Sequence, residues 1–157
     1  MATLAAGDRA PAFTLLDQTG KKVELSDFKG RNVVLYFYPK ADTPGCTTQS
    51  CALRDAEPDL SKLDAVVLGV SPDTPEKQAK FDEKYGLGFT LLADTEHEVA
   101  EKYGVWGEKV NYGRKYMGIV RSAFVVDGAG KVVDAFYKVS PKDTVPKVTK
   151  ALESIAT

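Results

Sequence analysis

The sequence predicts an α/β fold, a central mixed β-sheet flanked by helices, on three observations. Strand-like and helix-like segments alternate along most of the chain. One of them, Val33 to Tyr38, is an unbroken apolar run of the kind found in strands buried on both faces. The C-terminal part then carries two strand-like segments across a Gly-containing turn, followed by an amphipathic helix. The 157 residues suffice for one domain, residues 1–157, with a substantial hydrophobic core.

Taken in order, Phe13 to Leu16 and Val23 to Leu25 read as short strands around the Gln18-Thr19-Gly20 turn. Val33 to Tyr38 follows as a central strand. Cys46 to about Leu63 is helical, with Leu53, Ala56, Leu60 and Leu63 on one stripe. Pro58 cannot donate to the carbonyl of Arg54, so a kink or restart is expected there. Val66 to Val70 is a second central strand. A helix from Pro75 to Tyr85 has Thr74 as its N-cap and Pro75 in its first turn. Thr90 to Ala93 is a short strand, and Asp94-Thr95 opens a helix to about Tyr103. Gly104 to Gly118, which holds the single tryptophan, Trp106, reads as irregular. Ala123 to Val126 and Val132 to Tyr137 form a hairpin across Asp127-Gly128-Ala129-Gly130, and Thr144 to Ile155 closes the chain as a helix. That order of elements is thioredoxin-like.

Composition excludes several classes of function. With 43% hydrophobic and 27% charged residues and a formal net charge of −1, nothing suggests disorder, nucleic-acid binding or attraction to a membrane surface. Repeats, low-complexity segments and linkers are lacking. The N-terminal residues show neither a basic region nor a long apolar segment, so no signal peptide is expected. No apolar run reaches the ~18 residues of a membrane span. The expected location is cytoplasmic, where two cysteines are more often catalytic or redox-sensing than structural.

Those cysteines are the most informative residues. Cys46 stands where the strand ending at Tyr38 gives way to a helix, in the run Pro39-Lys40-Ala41-Asp42-Thr43-Pro44-Gly45-Cys46. A thiol at a helix N-terminus feels the partial positive charge of unpaired backbone N–H groups, which favours the thiolate. Cys51 lies five residues on. On a regular helix five residues rise about 7.5 Å and turn roughly 140°, which separates the Cα atoms by about 8–9 Å. A disulfide tolerates at most about 7 Å. Closing the bond therefore requires the first turn to unwind, which mediocre helix formers such as Thr47, Thr48 and Ser50 make easier. The alternative is that both cysteines are buried hydrophobes, as free cysteines often are; spacing alone leaves both readings open.

The surroundings of Cys46 carry a resemblance. Phe37-Tyr38-Pro39 with Thr43 and Cys46 is similar to the signature of the peroxiredoxins. Cys46-Thr47-Thr48-Gln49-Ser50-Cys51 resembles the bacterioferritin-comigratory, or PrxQ-type, branch. Pro11-Ala12-Phe13, Tyr103-Gly104-Val105-Trp106-Gly107-Glu108-Lys109 and Tyr116-Met117-Gly118-Ile119-Val120-Arg121 agree with it in register. The resemblance implies a thioredoxin-like fold and a thiol peroxidase that reduces hydrogen peroxide and organic hydroperoxides. By the resemblance, Cys46 is the peroxidatic cysteine, oxidised to a sulfenic acid, and Cys51 the resolving cysteine, which closes an intramolecular disulfide. It further implies that Thr43 offers its hydroxyl to thiolate and peroxide, that Arg121 supplies positive charge, and that Pro39 shields the loop. The implied reductant is a thioredoxin or glutaredoxin-type dithiol, with no cofactor, no metal and no nucleic-acid or membrane partner, acting as a monomer. Gln49 stands either at the active site or on the surface, and Arg54 either near the thiolate or in a surface ion pair. Ala123 departs from the pattern, where relatives commonly carry Ser or Thr.

Other candidates are weaker. His97 stands among Glu96, Glu98 and Glu101 and reads as a solvated surface residue. One histidine and two cysteines make no zinc set. Two rival functions use the same cysteines. A disulfide reductase of thioredoxin type is disfavoured by the Cys-x4-Cys spacing and by the lack of a proline between Pro75 and Pro141. A non-enzymatic redox switch would have no use for Thr43 and Arg121.

Overall fold

Among residues 3–156, which the computed structural model describes, the chain forms nine strands and four α-helices. They are β1 (Thr14–Asp17), β2 (Lys22–Glu24), β3 (Asn32–Phe37), α1 (Pro44–Lys62), β4 (Ala65–Ser71), α2 (Pro75–Tyr85) and β5 (Thr90–Ala93). After these come α3 (Glu98–Lys102), β6 (Trp106–Asn111), β7 (Arg114–Ile119), β8 (Ser122–Val126), β9 (Val132–Phe136) and α4 (Thr144–Ile155). Seven strands make one mixed sheet in the order β2-β1-β5-β4-β3-β8-β9. β3 and β4 are parallel, as are β4 and β5, whereas β8 runs antiparallel to β3. This is the expected α/β arrangement.

β3 shows why its sequence has no polar positions. Val34, Tyr36 and Tyr38 face one layer, packed with Leu53 and Leu60 of α1 and Val148 and Leu152 of α4. Val33, Leu35 and Phe37 face the other, among Leu68, Val99, Tyr103 and Phe124. Alternate side chains enter two separate cores, so both faces must be apolar. Gly69, the register partner of Tyr36 on β4, leaves room for that ring: a Cβ there would sit 2.9 Å from the Tyr36 ring carbons and hydroxyl. The Tyr36 hydroxyl in turn shares a 2.7 Å hydrogen bond with Ser50 Oγ on α1. Burial pushes the Tyr36 phenol far above its ordinary range, so the group is neutral.

Residues 104–118 and the start of α3 differ from the sequence expectation. Residues 104–118 are not irregular: β6 and β7 form an antiparallel hairpin across Tyr112 and Gly113, both at positive φ (51° and 77°). Both residues in the left-handed region fit a tight two-residue turn. The hairpin hides in the sequence because its apolar side chains do not alternate with burial; Val110, Tyr112, Tyr116 and Met117 are all exposed. Of the two outcomes expected at Pro58, a kink or a restart, the restart does not occur: α1 passes through it as one helix. Pro58 is exposed, so the unpaired Arg54 carbonyl can turn to water. α2 keeps its expected bounds, with Thr74 Oγ1 accepting the Lys77 amide at 3.3 Å. α3 starts later than expected, at Glu98, and Asp94 accepts the amides of Val99 and Ala100 at its N-terminus.

Candidate active site

The chain leaves β3 at the centre of the sheet, crosses Pro39 to Thr43, and enters α1. That crossing is tied down twice. Buried Asp73 accepts the Ala41 amide and the Ser71 hydroxyl through Oδ2, both at 2.7 Å, which fixes the loop to the end of β4. Asp42, at φ 60°, accepts from Lys84 Nζ at 2.9 Å and from the Tyr85 hydroxyl at 2.8 Å, both on α2. The hydrogen bonds from Lys84 and then Tyr85 hold the Asp42 carboxyl below the usual carboxylate range. A carboxylate with a lowered folded pKa stabilises the fold above its unfolded pKa, about 3.9, and loses that contribution as pH falls through the folded value. An NMR titration is expected to find Asp42 titrating below an ordinary aspartate, and Lys84→Met to raise it.

Thr43 is the N-cap residue of α1, with Pro44 at the first helical position, but its side chain does not cap the helix. Instead Thr43 Oγ1 donates to the Lys40 carbonyl at 2.7 Å. The hydroxyl proton is therefore committed, and only its lone pairs face other partners. This differs from the expectation that Thr43 donates to the thiolate: the tight loop leaves the Lys40 carbonyl as the nearer acceptor. Pro39 is half-buried at the start of the same loop.

Cys46 lies in the first turn of α1, where the backbone N–H groups lack helical partners. It is only 1% exposed and packs with the core side of β3. Arg121, just before β8, reaches across 75 residues of sequence and points Nη2 at Cys46 Sγ, 3.5 Å away. Its Nη1 donates to Gln49 Oε1 at 2.8 Å, and Gln49 Nε2 donates to Thr144 Oγ1 at 2.9 Å. Thr144 Oγ1 itself donates to the Ser140 carbonyl at 2.9 Å. A buried chain from α4 through α1 thus orients the guanidinium toward the sulfur. Gly45 is part of the same fit, since a Cβ there would come within 3.0 Å of Arg121 Nη2.

Cys51 is half-buried further along the same unbroken helix, and both cysteines are free thiols. The continuous helix keeps them apart, in line with the spacing argument above. Gln49 is fully buried between them, which settles its place at the site rather than on the surface. Arg54 resolves the other way: it pairs with Asp55 at 2.9 Å and donates to the Tyr85 carbonyl at 2.7 Å.

The whole chain also matches a family. A model of the AhpC/TSA family matches residues 6–135. The chain belongs to that family. Peroxiredoxin Bcp of Bacillus subtilis is 47% identical over 154 residues, covering 98% of each chain. Peroxiredoxin Bcp of Escherichia coli is 53% identical over 136 residues, 87% of each. Among solved structures, a bacterioferritin comigratory protein of Xanthomonas campestris superposes with a TM-score of 0.87 at 34% identity, covering 92% of each chain. That structure is of a trapped intermediate/ligand complex bearing on the protein's alkyl peroxide reduction activity. The chain is therefore a peroxiredoxin of the Bcp, or PrxQ, type, with a thioredoxin-like fold and thiol peroxidase activity.

Sequence reasoning missed two contacts, one at this peroxiredoxin site and one away from it. Thr144 reads in sequence only as the start of a helix; nothing local signals its contact with Gln49, 95 residues away. His97 is not simply solvated: its ring stacks on Trp106, centroids 3.8 Å apart and planes within 1°. The stack joins the N-cap of α3 to β6, where Trp106 pairs with Ile119. Among the described residues no helix is long and apolar enough to cross a membrane, and no cluster of His, Cys, Asp and Glu is positioned to hold a metal ion.

Proposed function

We propose that this peroxiredoxin reduces hydrogen peroxide and organic hydroperoxides at Cys46 and resolves the product through Cys51. The observation that carries the reading is the Arg121 guanidinium 3.5 Å from Cys46 Sγ in the first turn of a helix. The Cys46 thiolate attacks the terminal peroxide oxygen. An S–O bond forms, the O–O bond breaks, and its electron pair leaves on the departing oxygen, which takes a proton as water or alcohol. Sulfur is oxidised by two electrons to the sulfenic acid. Negative charge on the departing oxygen develops beside Arg121 and the unpaired N–H groups of α1, which are already oriented. Thr43, its proton held by the Lys40 carbonyl, accepts the O–H of the peroxide. Pro39 keeps the loop close over the sulfur, and a residue 1% exposed admits the slender O–O end when the loop fluctuates.

The second step takes the helix start apart. Cys51 thiolate attacks the Cys46 sulfenic sulfur, an S–S bond forms, and hydroxide leaves as water. The first turns of α1 unwind to allow it, which breaks the Tyr36–Ser50 bond and frees Gln49 from Arg121 and Thr144. A thioredoxin or glutaredoxin-type dithiol then reduces the disulfide by exchange. Both cysteines belong to one chain, so a monomer completes the cycle, and the cytoplasm supplies the dithiol.

Cys51→Ser separates the two steps. The variant is expected to consume one equivalent of hydrogen peroxide and then to stall with thioredoxin, whereas wild type turns over repeatedly. Amides 46–52 of wild type are expected to lose hydrogen-exchange protection on oxidation. Full steady-state turnover by Cys51→Ser would overturn the resolving role.

A further inference from the structure

A second cation lies at this site without a carboxylate to balance it. Lys109, on β6, is half-buried, and its Nζ donates to the Ile119 carbonyl at 2.9 Å. Among the described residues it makes no ion pair, while its neighbour Glu108 pairs with Lys115 across the hairpin at 3.7 Å. Its stem lies over Gly118, where a Cβ would come within 3.2 Å of Lys109 Cδ. Gly118 is not at positive φ, so what it contributes is clearance.

The bond from Lys109 lands two residues before Arg121. The segment it holds has no side-by-side strand of the main sheet until Ser122 pairs with Phe37. Between those points Val120 donates to the Val105 carbonyl at 2.7 Å, and the Arg121 carbonyl accepts the Val139 amide at 3.0 Å. Bonds from three separate points of the chain therefore fix one short bend, and Ser122 Oγ braces it from within by donating to the Val120 carbonyl at 2.9 Å. Of the bonds that reach the backbone of this bend from outside it, the Lys109 bond alone comes from a side chain.

We propose that Lys109 is a positioning residue of the peroxidatic site: by holding the Ile119 carbonyl it sets where Arg121 meets Cys46. The inference rests on the reading of Cys46 as the sulfur that peroxide oxidises. Electrostatics agree with the geometry. Burial lowers the Lys109 pKa and the Arg121 charge lowers it further, while Cys46 raises it, so the ammonium lies within the field of both. A desolvated ammonium beside a second cation is unfavourable unless the position does something for the fold or the site. The hairpin carrying it is exposed on most of its surface, so core packing does not account for it.

Two variants separate positioning from general support. Lys109→Met keeps an apolar stem and removes the donor; Gly118→Ala keeps the ammonium and displaces the stem. Rapid mixing with hydrogen peroxide is expected to show the first oxidation step slowed by about ten- to a hundredfold in each, since a misplacement of about 1 Å can cost about 10²-fold. The same two substitutions in an Arg121→Gln background are expected to have no further effect, since a residue acting through Arg121 has nothing left to position. Circular dichroism establishes folding, and Gly118→Ala carries the test should Lys109→Met fail to fold. Equal slowing in both backgrounds, or an unaltered rate in both folded single variants, overturns this proposal alone. Wild-type protein inert to hydrogen peroxide overturns the peroxidase reading and this proposal with it.

Discussion

Serine at position 46 abolishes hydroperoxide consumption, in a single turnover as well as at steady state. The reactive species is a thiolate, and an alcohol neither ionises in the accessible pH range nor accepts an oxygen atom in a form that a thiol can remove. Cys51 does not substitute, because it lies further along α1, away from the first turn and from the guanidinium contact at Cys46. The fold survives the change. Serine is smaller than cysteine, Arg121 keeps its 2.8 Å bond to Gln49, and the loss of a buried sulfur costs about 1 kcal/mol. Peroxide remaining after mixing with one equivalent of protein reads the effect, with far-UV circular dichroism as the control for folding. The contrast with Cys51→Ser, which keeps one oxidising event, separates loss of chemistry from loss of recycling.

Glutamine at position 121 slows oxidation of Cys46 by about 10²- to 10³-fold, the range found when a preorganised donor to developing charge is removed. The guanidinium makes two directed contacts at once, Nη2 toward Sγ at 3.5 Å and Nη1 to Gln49 at 2.8 Å. It also occupies the space that Gly45 leaves open. Lysine does not restore the rate, because a single ammonium cannot hold both directions of the fork. Second-order rate constants for hydrogen peroxide measured by rapid mixing give the magnitude. Alkylation of Cys46 by iodoacetamide falls less than the peroxide rate, since that reaction has no O–O bond to polarise. Equal losses in both reactions would assign Arg121 to the thiol alone and remove it from peroxide activation.

How far the sequence discloses this molecule depends on where each signal resides. β3 and α4 are legible because burial writes a continuous run into one and a 3.6-residue stripe into the other. The β6–β7 hairpin is illegible to the same reasoning, since pairing and turn hold it together while its side chains remain in solvent. Cys46 announces itself by standing at a strand-to-helix junction beside Pro39, Thr43 and Gly45. Arg121 does not; only the family pattern relates it to a sulfur 75 residues away, and the geometry then supplies the contact. Thr144 and Lys109 act through other residues, one by way of Gln49 and the other by way of a backbone carbonyl. Contacts of that kind leave no local periodicity, so tertiary structure is needed to find them. Thr43 is the instructive intermediate: its position is legible, but the direction of its hydroxyl depends on the Lys40 carbonyl.

The claim that peroxide oxidises the sulfur of residue 46 first is tested most directly by trapping the product. Cys51→Ser protein treated with one equivalent of hydrogen peroxide in the presence of dimedone, then digested and mapped by mass spectrometry, is expected to carry the adduct on Cys46 in stoichiometric yield. Peroxide consumed with Cys46 left unlabelled and still alkylatable would contradict the account.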